Sequence, residues 1–167
     1  MKIYLVRHGI ASETLGGNIR RDAERPLTEE GRVQTENVAR GLQTIGVKPD
    51  YMLCSPLVRA RQTAEIIAEV FGVKDKLTVA NELSPGVSPD AIYKVINELR
   101  RVEELFLVGH HPDVSVIAQA LLWSGPDLDI PFEKAGVARI DVWDLPPTTP
   151  GTLRWMMPPA VTTCLSK

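Results

Sequence analysis

Two strand-like runs of this chain end in side chains suited to phosphoryl chemistry. Ile3-Tyr4-Leu5-Val6 runs into Arg7-His8-Gly9, and Leu105-Phe106-Leu107-Val108 runs into Gly109-His110-His111. Arginine carries a permanent charge on a planar fork that fits phosphate oxygens. Histidine is the side chain best placed to act as base or nucleophile near neutral pH. The chain has three histidines, and all three lie at the ends of these two runs, a clustering that favours function over scattered surface histidines. Continuous apolar runs suit strands buried on both faces of a parallel sheet. In open α/β sheets, ligands bind just beyond the carboxyl ends of such strands.

A third run, Tyr51-Met52-Leu53-Cys54, leads into Ser55-Pro56-Leu57-Val58-Arg59-Ala60-Arg61-Gln62-Thr63-Ala64. Ser55 is the expected N-cap of a helix, with Pro56 at its first position. Arg59 then lies about one turn in, where it brings a second guanidinium to the same sheet edge, assisted by the positive helix N-terminus. Arg61, two positions on, faces elsewhere and reads as a solvated charge. Cys54 reads as a small buried core thiol, because the chain enters a helix where a cysteine-phosphatase loop would need several glycine-like turns.

Stepping along the chain, strand-like and helix-like stretches alternate. A polar loop, residues 10–27, contains Gly16-Gly17-Asn18 and several arginines, of which Arg20 and Arg21 read as solvated. Thr28 is the expected N-cap of a helix with Glu29 and Glu30 in its first turn. Its expected apolar stripe is Val33, Val38, Leu42 and Ile45, and Gly46 and Pro49 end it. A strand over 51–54 precedes a second helix from about 57 to 71, stopped by Gly72. A short strand over 77–80 follows, then a helix from Pro89-Asp90 to near Arg101. A strand over 105–109 and a helix from about 113 to 122 come next, with Asp113 read as a cap. Val137 to Trp143 and Thr152 to Met156 are expected to pair across the Pro146–Gly151 turn. The tail from about 158 reads as irregular. Trp123, Trp143 and Trp155 read as core residues.

This order implies an α/β fold: a three-layer αβα sandwich with a central, mostly parallel sheet and an antiparallel strand pair near the C-terminus. With 167 residues the chain is expected to form one domain, residues 1–167. Its net charge is −2, with 19 basic and 21 acidic residues mixed throughout, so neither nucleic acid nor a membrane is an expected partner. No stretch approaches a membrane span. Lys2 precedes only a short apolar run ending in Arg7, which is not a signal peptide. Two cysteines, Cys54 and Cys164, make no disulfide framework, and a reduced, cytoplasmic setting is expected.

Phosphoryl transfer asks for in-line attack and for neutralisation of charge on three equatorial oxygens. Arg7 and Arg59 supply forked donors, and His110 a further hydrogen bond. His8 would be the nucleophile. That role needs one free ring nitrogen and the other held as a donor, expected on a backbone carbonyl. With this many cationic groups no metal and no cofactor is called for.

Three segments together resemble the histidine phosphatase superfamily, also called phosphoglycerate-mutase-like. They are Arg7-His8-Gly9, Ser55-Pro56-x-x-Arg59-Ala60-x-Gln62-Thr63-Ala64 and Gly109-His110, in matching order and at matching wide spacing. Within it the chain is most similar to SixA-type phosphohistidine phosphatases. Ala11, Arg25-Pro26-Leu27-Thr28-x-x-Gly31, Glu82-Leu83-x-Pro85 and the short length carry that likeness. The resemblance covers residues 1 to about 158 and gives no role to His111. It implies a metal-independent phosphatase in which His8, Arg7, Arg59 and His110 form the catalytic group. It places Glu82 at the family's acid position, against the plainer reading of a surface glutamate. It turns Arg25 towards the substrate, against the reading of a loop anchor. The absence of long insertions implies an open site. Phosphohistidine on a phosphotransfer protein is the expected substrate. A small phosphate ester and a phosphoprotein-binding module without turnover are the alternatives.

Overall fold

The computed structural model describes residues 1–13, 21–99, 101–123, 125 and 128–166. Gly16, Gly17, Asn18 and Arg20 lie outside the described residues. Six strands, β1 (Lys2–Arg7), β2 (Tyr51–Cys54), β3 (Leu77–Val79), β4 (Glu104–Gly109), β5 (Val137–Asp141) and β6 (Thr152–Met157), form one sheet in the order β3-β2-β4-β1-β5-β6. The first four strands of that order run parallel. β5 is antiparallel to β1, and β6 to β5.

Alternating residues divide the parallel strands between two cores. Ile3, Leu5, Leu53, Leu105 and Leu107 pack on one face under α3 (Pro89–Glu98) and α4 (Asp113–Leu122). Tyr4, Val6, Met52, Phe106 and Val108 pack on the other under α1 (Glu29–Thr44) and α2 (Val58–Phe71). Both faces are covered, which is why the strands read as unbroken apolar runs. The result is the expected αβα sandwich, and the β5–β6 pair is antiparallel as expected.

β1 and β4 pair in register, Arg7 opposite Gly109, and the His8 amide extends the ladder to the Gly109 carbonyl at 2.9 Å. The chain leaves β1 for α1 on one face and leaves β4 for α4 on the other. Adjacent strands whose connections diverge open a crevice at their carboxyl ends, the usual ligand position in such sheets.

Several local expectations are corrected. The tail is not irregular: Pro159–Cys164 forms a short helix, α5, against α1. The buried face of α1 is built from Gly31, Thr35, Val38, Ala39, Gly41 and Leu42, while Val33 and Ile45 are exposed. Small residues line it because neighbouring backbone lies directly on the helix. A Cβ at Gly41 would overlap the Thr162 carbonyl, and one at Gly31 the Ile10 carbonyl. Trp143 is 93% exposed and Trp123 is half-exposed; Trp155 packs beside Tyr4 at 5.8 Å between ring centroids. Asp113 does not cap α4, since Pro112 holds that position. Its carboxylate instead accepts from the Gly86 amide at 2.7 Å, tying the start of α4 to the turn before α3.

The seat of α1 on residues 9 and 10 yields a direct test. Gly31→Ala should destabilise the protein by about 2–4 kcal/mol, because backbone rather than a flexible side chain must move. A urea unfolding midpoint equal to that of the unaltered chain would show that this contact is loose.

Candidate active site

Four of the expected residues meet at the β1/β4 crevice. Arg7 is the last residue of β1, His8 and His110 follow the paired strand ends, and Arg59 is the second residue of α2. The rings of His8 and His110 lie 5.2 Å apart, centroid to centroid. His8, Arg59 and His110 are all buried.

Nδ1 of His8 lies 2.7 Å from the Gly9 carbonyl oxygen. A carbonyl only accepts, so Nδ1 carries the proton and Nε2 keeps its lone pair. Arg59 Nε donates to that Nε2 at 3.2 Å. Burial, and then the charges of Arg59 and Arg7, push the His8 pKa down to about 4; the Gly9 carbonyl pulls the other way. His8 is therefore neutral at pH 7, as a nucleophile must be. His110 is pushed down to about 3, by burial first and then by His8 and Arg59.

His110 Nε2 lies 2.7 Å from the Ser55 hydroxyl. When that hydroxyl donates to Nε2, the proton of His110 sits on Nδ1, which is buried and without a partner. Nε of Arg7 is likewise buried and unpaired, while its Nη1 donates to the Phe132 carbonyl at 2.6 Å. Among the described residues, two buried donors thus stand unpaired close to His8, an arrangement that suits an oxyanion. Gly9 is held from the other side, its amide donating to Thr63 Oγ1 at 3.0 Å, and Thr63 donates in turn to the Arg59 carbonyl at 2.7 Å. A Cβ at Gly9 would approach Thr35 Oγ1 to 2.7 Å, so glycine lets α1 close on the loop.

Ser55 is not the N-cap of α2, which begins two residues later than expected with Leu57 as its cap. Its amide prolongs the β2–β4 pairing to the Val108 carbonyl at 3.0 Å, and its hydroxyl meets His110 Nε2 while accepting from the Leu57 amide at 3.3 Å. Cys54 is the buried core thiol expected; burial raises its pKa to about 11, far from a thiolate nucleophile. Arg61 is exposed and pairs with Glu65 at 3.4 Å.

Arg25 is both anchor and neighbour of the site. Its Nε donates to the Ser12 carbonyl, and its Nη1 to Asp22 Oδ1 at 2.7 Å. Asp22, which sequence reasoning passed over, also receives both Nη groups of Arg59. Its signal in the sequence was a carboxylate three residues before Arg25. Lys134 contributes a further positive charge at His8 and had no motif to reveal it. Glu82 stands on a single 3-10 turn, Asn81–Leu83, after β3, half-buried and without a hydrogen bond or ion pair to the described residues. His111 is exposed, 3.1 Å from the Ser115 hydroxyl. Among the described residues no group of three or more His, Cys, Asp or Glu is placed to hold a metal ion. A groove of ≈ 580 Å³ between α1 and α5 is lined by Glu29, Val33, Gln34, Glu133 and Pro159 and offers phosphate no cation.

A mostly parallel sheet thus carries Arg-His-Gly at the end of β1, Gly-His at the end of the adjacent β4, and an arginine from the first turn of α2, all at one crevice. The model of the histidine phosphatase superfamily (branch 1) matches residues 3–84, and the chain belongs to that superfamily. Within it the likeness is of the SixA type. Phosphohistidine phosphatase SixA of Escherichia coli is 26% identical over 164 residues, covering 95% of this chain and 94% of that protein. A solved structure of the protein histidine phosphatase SixA complexed with tungstate superposes with a TM-score of 0.84 at 24% identity, covering 96% of this chain and 99% of the other. An uncharacterized protein of Picosynechococcus sp. is 35% identical over 143 residues, 82% of each chain. The fold is shared more widely: a mycobacterial glucosyl-3-phosphoglycerate phosphatase superposes with a TM-score of 0.69 at 17% identity, over 92% of this chain and 97% of that one. No helix among the described residues is long and apolar enough to cross a membrane.

The lowered histidine pKa fixes the sign of a pH effect. Between pH 6.5 and about 4 the unfolded chain protonates His8 and the folded chain does not, so stability is lost as pH falls through that window. The loss assigned to His8 alone is on the order of 3 kcal/mol. Urea unfolding at pH 4.5 and 7 should show a smaller difference for His8→Asn than for the unaltered chain. Equal differences would mean that His8 titrates near its ordinary pKa.

Proposed function

We propose that this chain is a phosphatase that acts through a phosphohistidine on His8, and that it removes phosphate from phosphohistidine on a phosphotransfer protein. The observation that carries the reading is the His8 ring: its proton is held on Gly9, and its lone pair lies among Arg59, Arg7 and the free Nδ1 of His110.

In the first step the Nε2 lone pair of His8 attacks phosphorus and the bond from phosphorus to the substrate nitrogen breaks. Arg7 and Arg59 neutralise the equatorial oxygens, and His110 Nδ1–H donates to one of them. A substrate imidazole whose other nitrogen is protonated leaves as neutral imidazole and needs no acid. In the second step water attacks the same phosphorus, its proton passes to a phosphate oxygen or to solvent, and His8 leaves with its lone pair restored. Both steps pass through similarly charged transition states, so one set of donors serves both.

The absence of a roofing insertion, in a chain that spans nearly the whole of SixA, supports a site that admits a protein surface. A second reading, a small-molecule phosphomonoesterase, is favoured by the unpaired carboxyl of Glu82 after β3, because an alkoxide leaving group needs a proton donor.

Parallel turnover assays on phosphohistidine proteins and a panel of phosphomonoesters should show preference for the former, and His8→Ala should abolish both. During turnover of a labelled substrate, an alkaline quench should preserve label on His8 alone, since phosphoramidates are lost in acid. Tight phosphopeptide binding without turnover would make the chain a binding module instead.

Glu82→Gln should lower kcat/KM on phosphomonoesters at least tenfold more than on phosphohistidine, by about 1.4 kcal/mol or more. Equal losses on both would give Glu82 a structural or water-orienting role and remove the chemical argument for substrate choice.

A further inference from the structure

Asp22 lies on the short turn Asp22–Glu24 before α1 and binds both outer arms of the arginine that faces the nucleophile. Arg59 Nη1 donates to the Asp22 carbonyl at 2.8 Å and Nη2 to its Oδ2 at 3.0 Å, while Arg59 Nε covers the lone pair of His8 at 3.2 Å. Every nitrogen of Arg59 is thus directed at the protein, and one blocks the electron pair that attack requires. Phosphoryl binding needs the forked side of this guanidinium, and attack needs Nε2 uncovered. One rearrangement, the exchange of Asp22 for a phosphoryl oxygen pair, achieves both.

The balance favours that exchange. Arg59 is 8% exposed and Asp22 is 58% exposed, so solvent screens the acid and leaves the guanidinium short of counter-charge. A phosphoryl dianion brings two charges and fork geometry to the same donors, and charge-assisted forked bonds are the stronger kind. It also repels the carboxylate it replaces. Asp22 need not leave the neighbourhood, because Oδ1 remains on Arg25 Nη1 at 2.7 Å. The hydrogen bond from Arg25, and then the charge of Arg59, hold its pKa below the usual carboxylate range, so it serves as an anion and not as a proton donor.

We propose that Asp22 is a displaceable internal anion, which keeps Arg59 parked on the lone pair of His8 until the substrate's phosphoryl group takes its place on the guanidinium. The proposal rests on the phosphatase reading and adds the residue that sets how tightly phosphate is held. A fixed brace for Arg59 would have the same contacts but the opposite effect on phosphate when its charge is removed.

Orthophosphate binding to the full chain, measured by titration calorimetry, separates the two. Asp22→Asn keeps the shape and an acceptor for Arg59 and removes the charge. It should bind orthophosphate about three- to tenfold more tightly and show product inhibition stronger by the same factor. Its His8 should react faster with diethyl pyrocarbonate, followed by peptide mass spectrometry, because the lone pair is less often covered. Should the Asn variant fail to fold, Asp22→Ser carries the same expectations. Unchanged or weaker orthophosphate binding in a folded variant makes Asp22 a fixed brace and overturns the proposal while the phosphatase reading stands. An unaltered chain that neither binds orthophosphate nor turns over any phosphoryl substrate overturns both.

Discussion

The in-register parallel pairing of β1 with β4 is the constraint on which the site depends. It sets Arg7 opposite Gly109, so that His8 and His110 leave the sheet side by side. The strands are buried on both faces, and a slip of one residue would exchange the side chains of the two cores. The register is therefore specified by packing far from the chemistry. Because the connections after the two strands go to opposite faces, a crevice opens between them, and His8, His110, Arg7 and Arg59 meet there.

That crevice concentrates positive charge around neutral histidines. Arg7, Arg59 and Lys134 place their charge at His8, with Arg25 behind Asp22, and the same burial that lowers the histidine pKa values keeps both rings uncharged. Like charges at these distances repel, and the protein manages them with carbonyls and one carboxylate. Phe132 holds Arg7, Ser12 holds Arg25, and Asp22 bridges Arg25 and Arg59. Partial dipoles hold the guanidiniums in place without cancelling their charge. The field is thus organised before any substrate arrives, the condition under which fixed donors lower a barrier most.

The chain shares its fold with solved structures of both a protein histidine phosphatase and a small-molecule phosphatase. Among the described residues, the Asp22–Glu24 turn meets the site at Arg59, and the segment from Phe132 to Ala135 meets it at Arg7 and His8. The Ala135 amide bonds back to the Arg7 and His8 carbonyls at 3.1 Å, which ties that last segment to the backbone of His8.

Much of this was legible in the chain. Apolar runs ending in Arg7-His8-Gly9 and Gly109-His110 showed the parallel sheet and the side chains at its edge, because burial on both faces leaves a local signature. Arg59 was legible from its place shortly after a strand. Ser55 was misread as a cap, since Ser-Pro before a helix looks the same whether its hydroxyl turns to the helix or to a histidine 55 residues away. The α1 stripe was misread because a helix that meets backbone buries glycine and alanine, which carry no hydrophobic signal. The tail after Pro158 became helical through its contact with α1. Residue types and local periodicity by themselves determined the elements, their layering and the histidines and arginine at the sheet edge. Only the tertiary structure decided which ring nitrogen of His8 keeps its lone pair, that Asp22 sits on Arg59, and that Glu82 has no partner among the described residues, because those depend on distances between segments that no local pattern encodes.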